Sequence, residues 1–353
     1  MLTHKDHQGI IVVVTGGCGF LGRRLVQMLC IMIIVIVFIF VFILSASVRV
    51  SCVLGDLKDM PVLRDALRDA TVVLHAASLV DVWGKYPSTL LHTSNVIGTK
   101  NVVEACRLEN VPFLIYTSTM EVVGPNTLHH PFIRYVCIVM YCIYSLSPPS
   151  KAKELSGGGH LATLALRPTG IYGEDHDILK GLVSSVYRCR GIMLKLAPPE
   201  AEHGRVYIGN VAWMHILAAY CLYTKRTGPA AGEVFYCYDD SPYLSYSNFN
   251  HELLEAAGIP ITPFQVPYLV ILIIVWIAEM FSVILRPFKQ WTPILNRHTL
   301  SMVWTPFTVS TDKAAKLLGY QPRYEWKESR ERTSRWLNSI FEITEKDGDK
   351  IQI

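Results

Sequence analysis

The sequence predicts an α/β fold, a doubly wound parallel sheet with a smaller C-terminal substrate region and a membrane-associated hydrophobic segment. Three observations carry this expectation. A β-branched run, Val12-Val13-Val14, stops at a glycine-rich turn, after which apolar residues resume at helical spacing through Phe20, Leu21, Leu25, Met28 and Leu29. Short apolar runs such as Val72-Val73-Leu74-His75 and Pro112-Phe113-Leu114-Ile115-Tyr116 alternate with amphipathic helical patterns. The chain is 51% hydrophobic and only 18% charged, more apolar than an ordinary soluble protein, and this points to membrane attachment.

The first unit is a strand, a turn and a helix, the opening of a Rossmann-type sheet. In Thr15-Gly16-Gly17-Cys18-Gly19-Phe20-Leu21-Gly22, glycines at 16, 19 and 22 permit a tight turn, a close approach of pyrophosphate to main-chain N–H groups, and close packing of helix on strand. The positive end of the helix favours the phosphate charge. Gly16, Gly17, Cys18, Gly19, Phe20, Leu21 and Gly22 are therefore the expected dinucleotide-binding residues; the bland alternative is a glycine-rich structural turn.

From Leu29 to Val48 no residue is charged. About 20 apolar residues suffice to span a bilayer as a helix, yet a dinucleotide-binding sheet needs its second strand here. The two readings exclude each other, and both stay open at this point. The acidic residue that would bond the adenosine ribose should lie about 20 residues beyond the glycines, where only Ile, Val and Phe stand. The residues themselves thus leave NAD against NADP undecided. Val48 to Leu54 reads as a strand ending in Gly55-Asp56-Leu57, which places Asp56 and Leu57 near an adenine; as the alternative, Asp56 caps the helix around Pro61 to Arg68. His75 reads more readily as a satisfied core histidine than as a ligand group. A helix is expected from about Tyr86 to Glu109, and Thr117-Ser118-Thr119 follows the next strand at the end that faces the ligand crevice.

The net charge of +4 is spread without a basic stripe, which excludes nucleic acid as an expected partner. Nine cysteines lack Cys-x-x-Cys or zinc spacing, so reduced thiols in a cytosol-facing protein and no metal are expected. The polar opening residues predict no secretory signal peptide. Val266 to Leu285 is a second long apolar stretch, interrupted by Glu279 and followed by Arg286 and Lys289, and it is expected to attach to a membrane. A helix capped by Ser310 or Thr311 and a solvated charged helix from Lys327 complete the chain.

Four stretches in order carry a resemblance. The glycine turn, Tyr116-Thr117-Ser118-Thr119-Met120-Glu121-Val122-Val123-Gly124-Pro125-Asn126, Leu166-Arg167-Pro168-Thr169-Gly170-Ile171-Tyr172-Gly173-Glu174 and His203-Gly204-Arg205-Val206-Tyr207-Ile208-Gly209-Asn210-Val211-Ala212 are similar to the membrane-bound 3β-hydroxysteroid dehydrogenase/Δ5-Δ4 isomerases, extended short-chain dehydrogenase/reductases. Trp213-Met214-His215 and Cys237-Tyr238-Asp239-Asp240-Ser241-Pro242-Tyr243 most resemble the branch acting on 7α-hydroxylated C27 sterols in bile-acid synthesis. The resemblance implies NAD as cofactor, oxidation of a 3β-hydroxyl, and migration of the ring double bond into conjugation. It implies a tyrosine base, a lysine that lowers its pKa, and a hydroxyl that orients the substrate oxygen. On this chain these are Tyr144, Lys151, and Thr119 with Ser118 beside it; Lys151 and Pro168 would also lie against the nicotinamide half of the cofactor. A sterol substrate, the endoplasmic reticulum membrane with the active domain facing the cytosol, and a homodimer are compatible with it.

Two segments, 30–47 and 132–160, depart from the family pattern. The family's Tyr-x-x-x-Lys sets both side chains one helical turn apart, whereas Tyr144-Ser145-Leu146-Ser147-Pro148-Pro149-Ser150-Lys151 separates them by seven positions with two prolines between. The expected organisation is a NAD-binding domain over 9–175, atypical in those segments, and a substrate-binding, membrane-associated region over 176–353. The competing readings are a catalytically impaired nucleotide-binding paralogue and a sterol-4-carboxylate dehydrogenase.

Overall fold

The computed structural model describes residues 10–39, 50–81, 86–122, 156, 158–225, 228–285, 293, 296–309 and 312–351. Its central sheet has five parallel strands in the order β1 (Val12–Thr15), β2 (Val72–His75), β3 (Phe113–Thr117), β4 (Ala162–Pro168) and β8 (Val234–Cys237). The register pairs Thr15 with His75, His75 with Tyr116, and Thr117 with Leu166, so the strand ends that carry the candidate residues form one edge.

Side chains alternate between two buried faces, as a sheet covered on both sides requires. Val72, Leu74, Phe113, Ile115, Leu164 and Leu166 meet α1 (Phe20–Ile39) and α6 (Ile208–Thr224) through residues such as Leu21, Leu25, Val211 and Ala212. Val73 and Leu114 point the other way, onto α2 (Met60–Leu67) and α4 (Gly98–Leu108) through Leu63, Leu67, Val102 and Val103. Before α4 run α3 (Ser88–Leu91) and a wide π turn, His92–Ile97. The fifth strand and the helix packed against it come from beyond residue 175, so the sheet draws on both halves of the chain.

Two expectations change at the N-terminal side. Residues 20–39 form one helix, which excludes a strand over 31–39; residues 40–49 lie outside the described residues. The strand expected over Val48 to Leu54 does not form in its described part, 50–54, and Leu54 is 98% exposed. The physical reason is the helix itself. Because residues 31–39 are helical, no strand pairs with β1 on that side among the described residues, and residues 50–54 run as exposed loop. β1 is therefore an edge strand, preceded by the exposed Ile10 and Ile11.

Beyond β4 the chain adds two small parallel sheets, β5 (Gly170–Tyr172) with β7 (Arg205–Tyr207) and β6 (Ile192–Lys195) with β9 (Thr262–Gln265). Around them lie α5 (Asp177–Arg188), α7 (Tyr246–Ala256), α8 (Tyr268–Leu285), α9 (Arg297–Trp304), α10 (Asp312–Leu318) and α11 (Trp326–Ile351). α11 is amphipathic rather than wholly solvated, burying Ser329, Thr333, Ser334 and Leu337. The proposed caps Ser310 and Thr311 lie outside the described residues.

Among the described residues, α8 is the one helix long and apolar enough to cross a membrane, with mean hydropathy 2.6 over 18 residues. Only Ile271 and Val275 are buried, packed with Val266 and Leu300, while Leu269, Ile273, Trp276 and Phe281 are exposed. Glu279 is neutralised by Arg297, whose Nε donates at 2.6 Å and whose backbone N–H donates at 2.8 Å. Both ends of the α8–α9 hairpin return to the same body. Val266 N–H donates to Lys195 O at 3.1 Å and Phe307 N–H to Glu202 O at 2.9 Å, while the Tyr268 and Trp304 rings stack 4.3 Å apart.

Candidate active site

The glycine turn forms where the strand-to-helix pattern placed it. Gly16 has φ +71°, and a Cβ there would lie 2.8 Å from the Ala77 backbone. Gly19 N–H donates to Gly16 O at 2.8 Å and Arg23 N–H to Gly19 O at 3.0 Å, so the turn passes directly into α1. A Cβ on Gly22 would sit 1.9 Å from Gly16 O, which means only bare backbone lets the helix come this close. Gly17 has ordinary clearance, its Cβ meeting Val14 O at 3.5 Å. Cys18 is exposed, Phe20 packs against His176 at 5.0 Å between ring centroids, and Leu21 belongs to the core. Leu21 thus offers a ligand its backbone and not its side chain. A glycine cradle at the start of a helix fits a pyrophosphate.

At Asp56 and Leu57 the structure removes the capping alternative. Asp56 does not cap α2; Asp59 does, accepting from Val62 N–H at 3.3 Å, with Pro61 in the first turn. The exposed Asp56 carboxylate instead accepts from Lys58 N–H at 3.0 Å and pairs with the Lys58 ammonium at 3.1 Å, and the backbone hydrogen bond from Lys58 chiefly holds it below the ordinary carboxylate range. Leu57 lies against Gly98, and its carbonyl accepts from Asn101 Nδ2 at 2.9 Å.

At the end of β2, His75 bridges three elements. Its Nδ1 lies 2.6 Å from Thr15 Oγ1 on β1 and its Nε2 lies 2.9 Å from Thr99 Oγ1 on α4. It is a core histidine, as expected, satisfied by hydroxyls rather than by backbone. The following loop is held by Asn95 in the π turn. Leu79 N–H donates to Asn95 Oδ1 at 2.8 Å, and Asn95 Nδ2 donates back to Leu79 O at 2.9 Å.

The hydroxyl-rich end of β3 is similarly braced. His215 Nδ1 is 2.8 Å from Val211 O, an acceptor only, so Nδ1 carries the proton; neutral Nε2 then accepts from Thr117 Oγ1 at 2.8 Å. Ser118 N–H donates to Leu166 O at 2.7 Å, and Thr119 Oγ1 accepts from Glu121 N–H at 3.3 Å. Thr119 and Ser118 are half-buried at the sheet edge, one strand away from His75 and two from the glycine turn. Pro168 is the last residue of β4 and not part of a loop; it lies beyond the β3 register, where its missing N–H removes no β3–β4 hydrogen bond. Tyr144 and Lys151 lie outside the described residues.

Burial pushes His75 and His215 down to about 4, so both are neutral in the folded protein at neutral pH. The unfolded chain therefore binds more protons between about pH 4 and the ordinary histidine value near 6.5, and stability rises with pH across that window. Acidification from pH 6.5 to 4 is expected to cost roughly 3 kcal/mol per histidine. Urea unfolding at stepped pH checks this, and His215→Gln should flatten the slope.

Sequence reasoning did not assign roles to Asn95, His215 or Asn210. The signal for His215 was its place one turn after Val211; its partner Thr117 is 98 residues away in sequence. Asn210 lies in the first turn of α6 and joins the loop after β8 to the backbone before α11. Its Nδ2 donates to Asp239 Oδ2 and to Tyr324 O, both at 2.8 Å, and its Oδ1 accepts from Arg323 N–H and Tyr324 N–H, both at 2.9 Å.

A family model described as the 3-beta hydroxysteroid dehydrogenase/isomerase family matches residues 13–136 and 148–266, a span that includes the glycine turn, Ser118, Thr119 and Lys151 but omits Tyr144. Human 3 beta-hydroxysteroid dehydrogenase type 7 is 40% identical over 364 residues, covering 96% of this chain and 98% of that protein. The 3 beta-hydroxysteroid dehydrogenase/Delta 5-->4-isomerase of Monkeypox virus is 34% identical over 354 residues, covering 93% and 98%. The solved dTDP-glucose 4,6-dehydratase DesIV of Streptomyces venezuelae, with NAD and TYD bound, superposes with TM-score 0.66 at 17% identity, covering 94% of this chain and 97% of that one. RMD from Pseudomonas aeruginosa, complexed with NADPH, gives TM-score 0.62 at 13% identity, with 94% and 99% covered; these two likenesses show the fold. By the extent of the family match and the identity to curated relatives, the chain belongs to the 3-beta hydroxysteroid dehydrogenase/isomerase family.

Proposed function

We propose that the protein oxidises the 3β-hydroxyl of a Δ5-sterol with NAD as acceptor and then shifts the Δ5 double bond to Δ4, its substrates being 7α-hydroxylated C27 sterols of bile-acid synthesis. The observation that carries this reading is the single sheet edge on which the glycine turn and the Ser118–Thr119 hydroxyls both lie, inside the stretch matched by the family. A bound nicotinamide dinucleotide supplies a hydride acceptor. The backbone N–H groups of Cys18, Phe20 and Leu21 at the α1 terminus would hold its pyrophosphate. Thr119, with Ser118, orients the sterol oxygen; Tyr144 takes the hydroxyl proton, and the Lys151 ammonium makes the phenolate accessible at neutral pH, since a free phenol with a pKa near 10 is a poor base there.

Sterol supply is read from α8. Its exposed apolar surface supports attachment to the endoplasmic reticulum membrane with the sheet domain in the cytosol. At about 1.5 Å per residue the helix is about 27 Å long, but the hairpin's return to the same body favours lying in one leaflet over a single crossing. Replacing Ile273, Ile277 and Phe281 together by serine is expected to release the protein from vesicles without lowering its melting temperature; retention on vesicles would count against this surface.

A second reading has its own support. Tyr144 falls in the stretch that the family model omits, and α1 occupies the place of the second strand, so a nucleotide-binding paralogue without turnover competes with the enzyme. NADH production from 7α-hydroxycholesterol by membranes containing the chain separates the two. Turnover abolished by Tyr144→Phe is the expected result; cofactor binding with no turnover favours the paralogue, and turnover unaffected by that substitution removes Tyr144 as the base.

A further inference from the structure

Arg205, at the start of β7, is 8% exposed, yet among the described residues its guanidinium makes no hydrogen bond and no ion pair, and its Nε is a buried donor without a partner. What surrounds it holds a cation without neutralising it. The guanidinium carbon lies 3.8 Å from the centre of the Tyr246 ring and 5.2 Å from that of Phe249. On another side is the bare backbone of Gly170, where a Cβ would come within 3.0 Å of Arg205 Nη1. An uncompensated buried charge costs several kcal/mol, so a guanidinium kept this way calls for a counter-charge, and the described residues place none against it.

Two histidines lie within electrostatic reach of Arg205. His203 is 3% exposed and its ring lies 4.5 Å from the Tyr246 ring; its Nε2 donates to Val303 O at 3.3 Å, so its buried, unpartnered Nδ1 is a lone-pair acceptor and no ligand for an anion. His176, which precedes α5 and packs on Phe20 of the glycine turn, likewise has a buried Nδ1 without a partner. Both histidines are pushed down to about 4, first by burial and then by the Arg205 cation, which places each within its field; Asp177 acts in the opposite direction on His176. Glu121 reaches Tyr246 electrostatically, but burial raises its own pKa and favours its neutral form.

We propose that Arg205, with His176, forms an oxyanion site near the C-terminal ends of the central strands, taking a carboxylate or sulfate group carried by the sterol or free in solution. Arg205 supplies paired donors to the oxyanion, and its planar fork suits either group. Gly170, two residues beyond Pro168 at the end of β4, puts the site next to the sheet edge that carries Ser118 and Thr119. The sterol-borne source rests on the dehydrogenase reading above; the oxyanion chemistry does not.

The test is calorimetric titration of the full chain in detergent micelles. The probes are sodium sulfate, a C27 3β-hydroxy-Δ5-sterol whose side chain ends in a carboxylate, and the methyl ester of that sterol. The acid is expected to bind at least tenfold more tightly than the ester, sulfate to compete with the acid alone, and Arg205→Gln to abolish the preference while leaving ester binding unchanged. Sulfate binding that needs Arg205, without a preference for the acid, supports the free oxyanion as the source. The site is overturned if wild-type protein shows neither sulfate binding nor acid preference, or if either survives Arg205→Gln. The wild-type comparison requires no variant to fold. Absence of NADH-linked turnover alongside an intact acid preference would defeat the dehydrogenase reading and leave the site standing.

Discussion

Gly22→Ala is expected to abolish measurable dinucleotide binding and to destabilise the fold by about 3 kcal/mol or more. The added Cβ would lie 1.9 Å from Gly16 O and 2.7 Å from Gly16 C, and both atoms are backbone, so no side-chain rotation relieves the contact. Either α1 moves off β1 or the turn opens, and each disperses the N–H groups that would face a pyrophosphate. Gly17→Ala is the control. Its Cβ would make only an ordinary contact with Val14 O, so its melting temperature should stay within a few degrees of wild type. NADH fluorescence titration and thermal unfolding read the two effects. A Gly22→Ala protein with wild-type binding would remove the turn from the cofactor site.

Asn210→Ala is expected to cost about 3 kcal/mol or more, the second large effect, without touching the proposed reaction centre. The amide makes four hydrogen bonds in a fully buried position, joining Asp239 to the backbone that leads into α11. Truncation leaves the Tyr324 carbonyl and the Arg323 and Tyr324 N–H groups without that partner. Asp239 keeps hydrogen bonds from Tyr207 N–H at 2.7 Å and Ser241 N–H at 3.0 Å, so its carboxylate stays placed while α11 loses its tether. Hydrogen exchange should therefore accelerate first in α11 and only later in the central sheet. Uniform acceleration would show that Asn210 serves the whole fold.

β1, β2, β3 and the glycine turn were legible because their signals are local: a continuous apolar, β-branched run, bounded by glycine or by polar turn residues. The stretch after Leu29 was not, because Ile, Val and Phe without polar interruption have no period to read. What decides is cooperativity. A helix already nucleated at Phe20 extends at little cost per residue, and after Gly22 no glycine or proline interrupts the chain before Ile39. The cap expected at Asp56 falls three residues early; Asp59 is the same residue type, and Pro61 in the first turn fixes the cap there. Site residues that act across long sequence separations, such as Thr117 with His215, carry no local pattern, since each half alone reads as a strand hydroxyl or a helix-face histidine. The resemblance supplied Ser118 and Thr119 where spacing alone would have left a hydroxyl-rich turn.

The edge position of β1 has a consequence for the energetics of ligand capture. Among the described residues β1 bonds to a neighbour on one side only, as β8 does at the opposite edge, and of these two edge strands β1 is the one that delivers the glycine turn. Local opening of an edge element takes less free energy than global unfolding, and a ligand that binds only the closed form raises that opening cost by RT ln(1 + [L]/Kd). Nucleotide concentration would then set the lifetime of the first strand, and amide protection at Val12 to Thr15 would report cofactor occupancy before any change at β3 or β4 is seen.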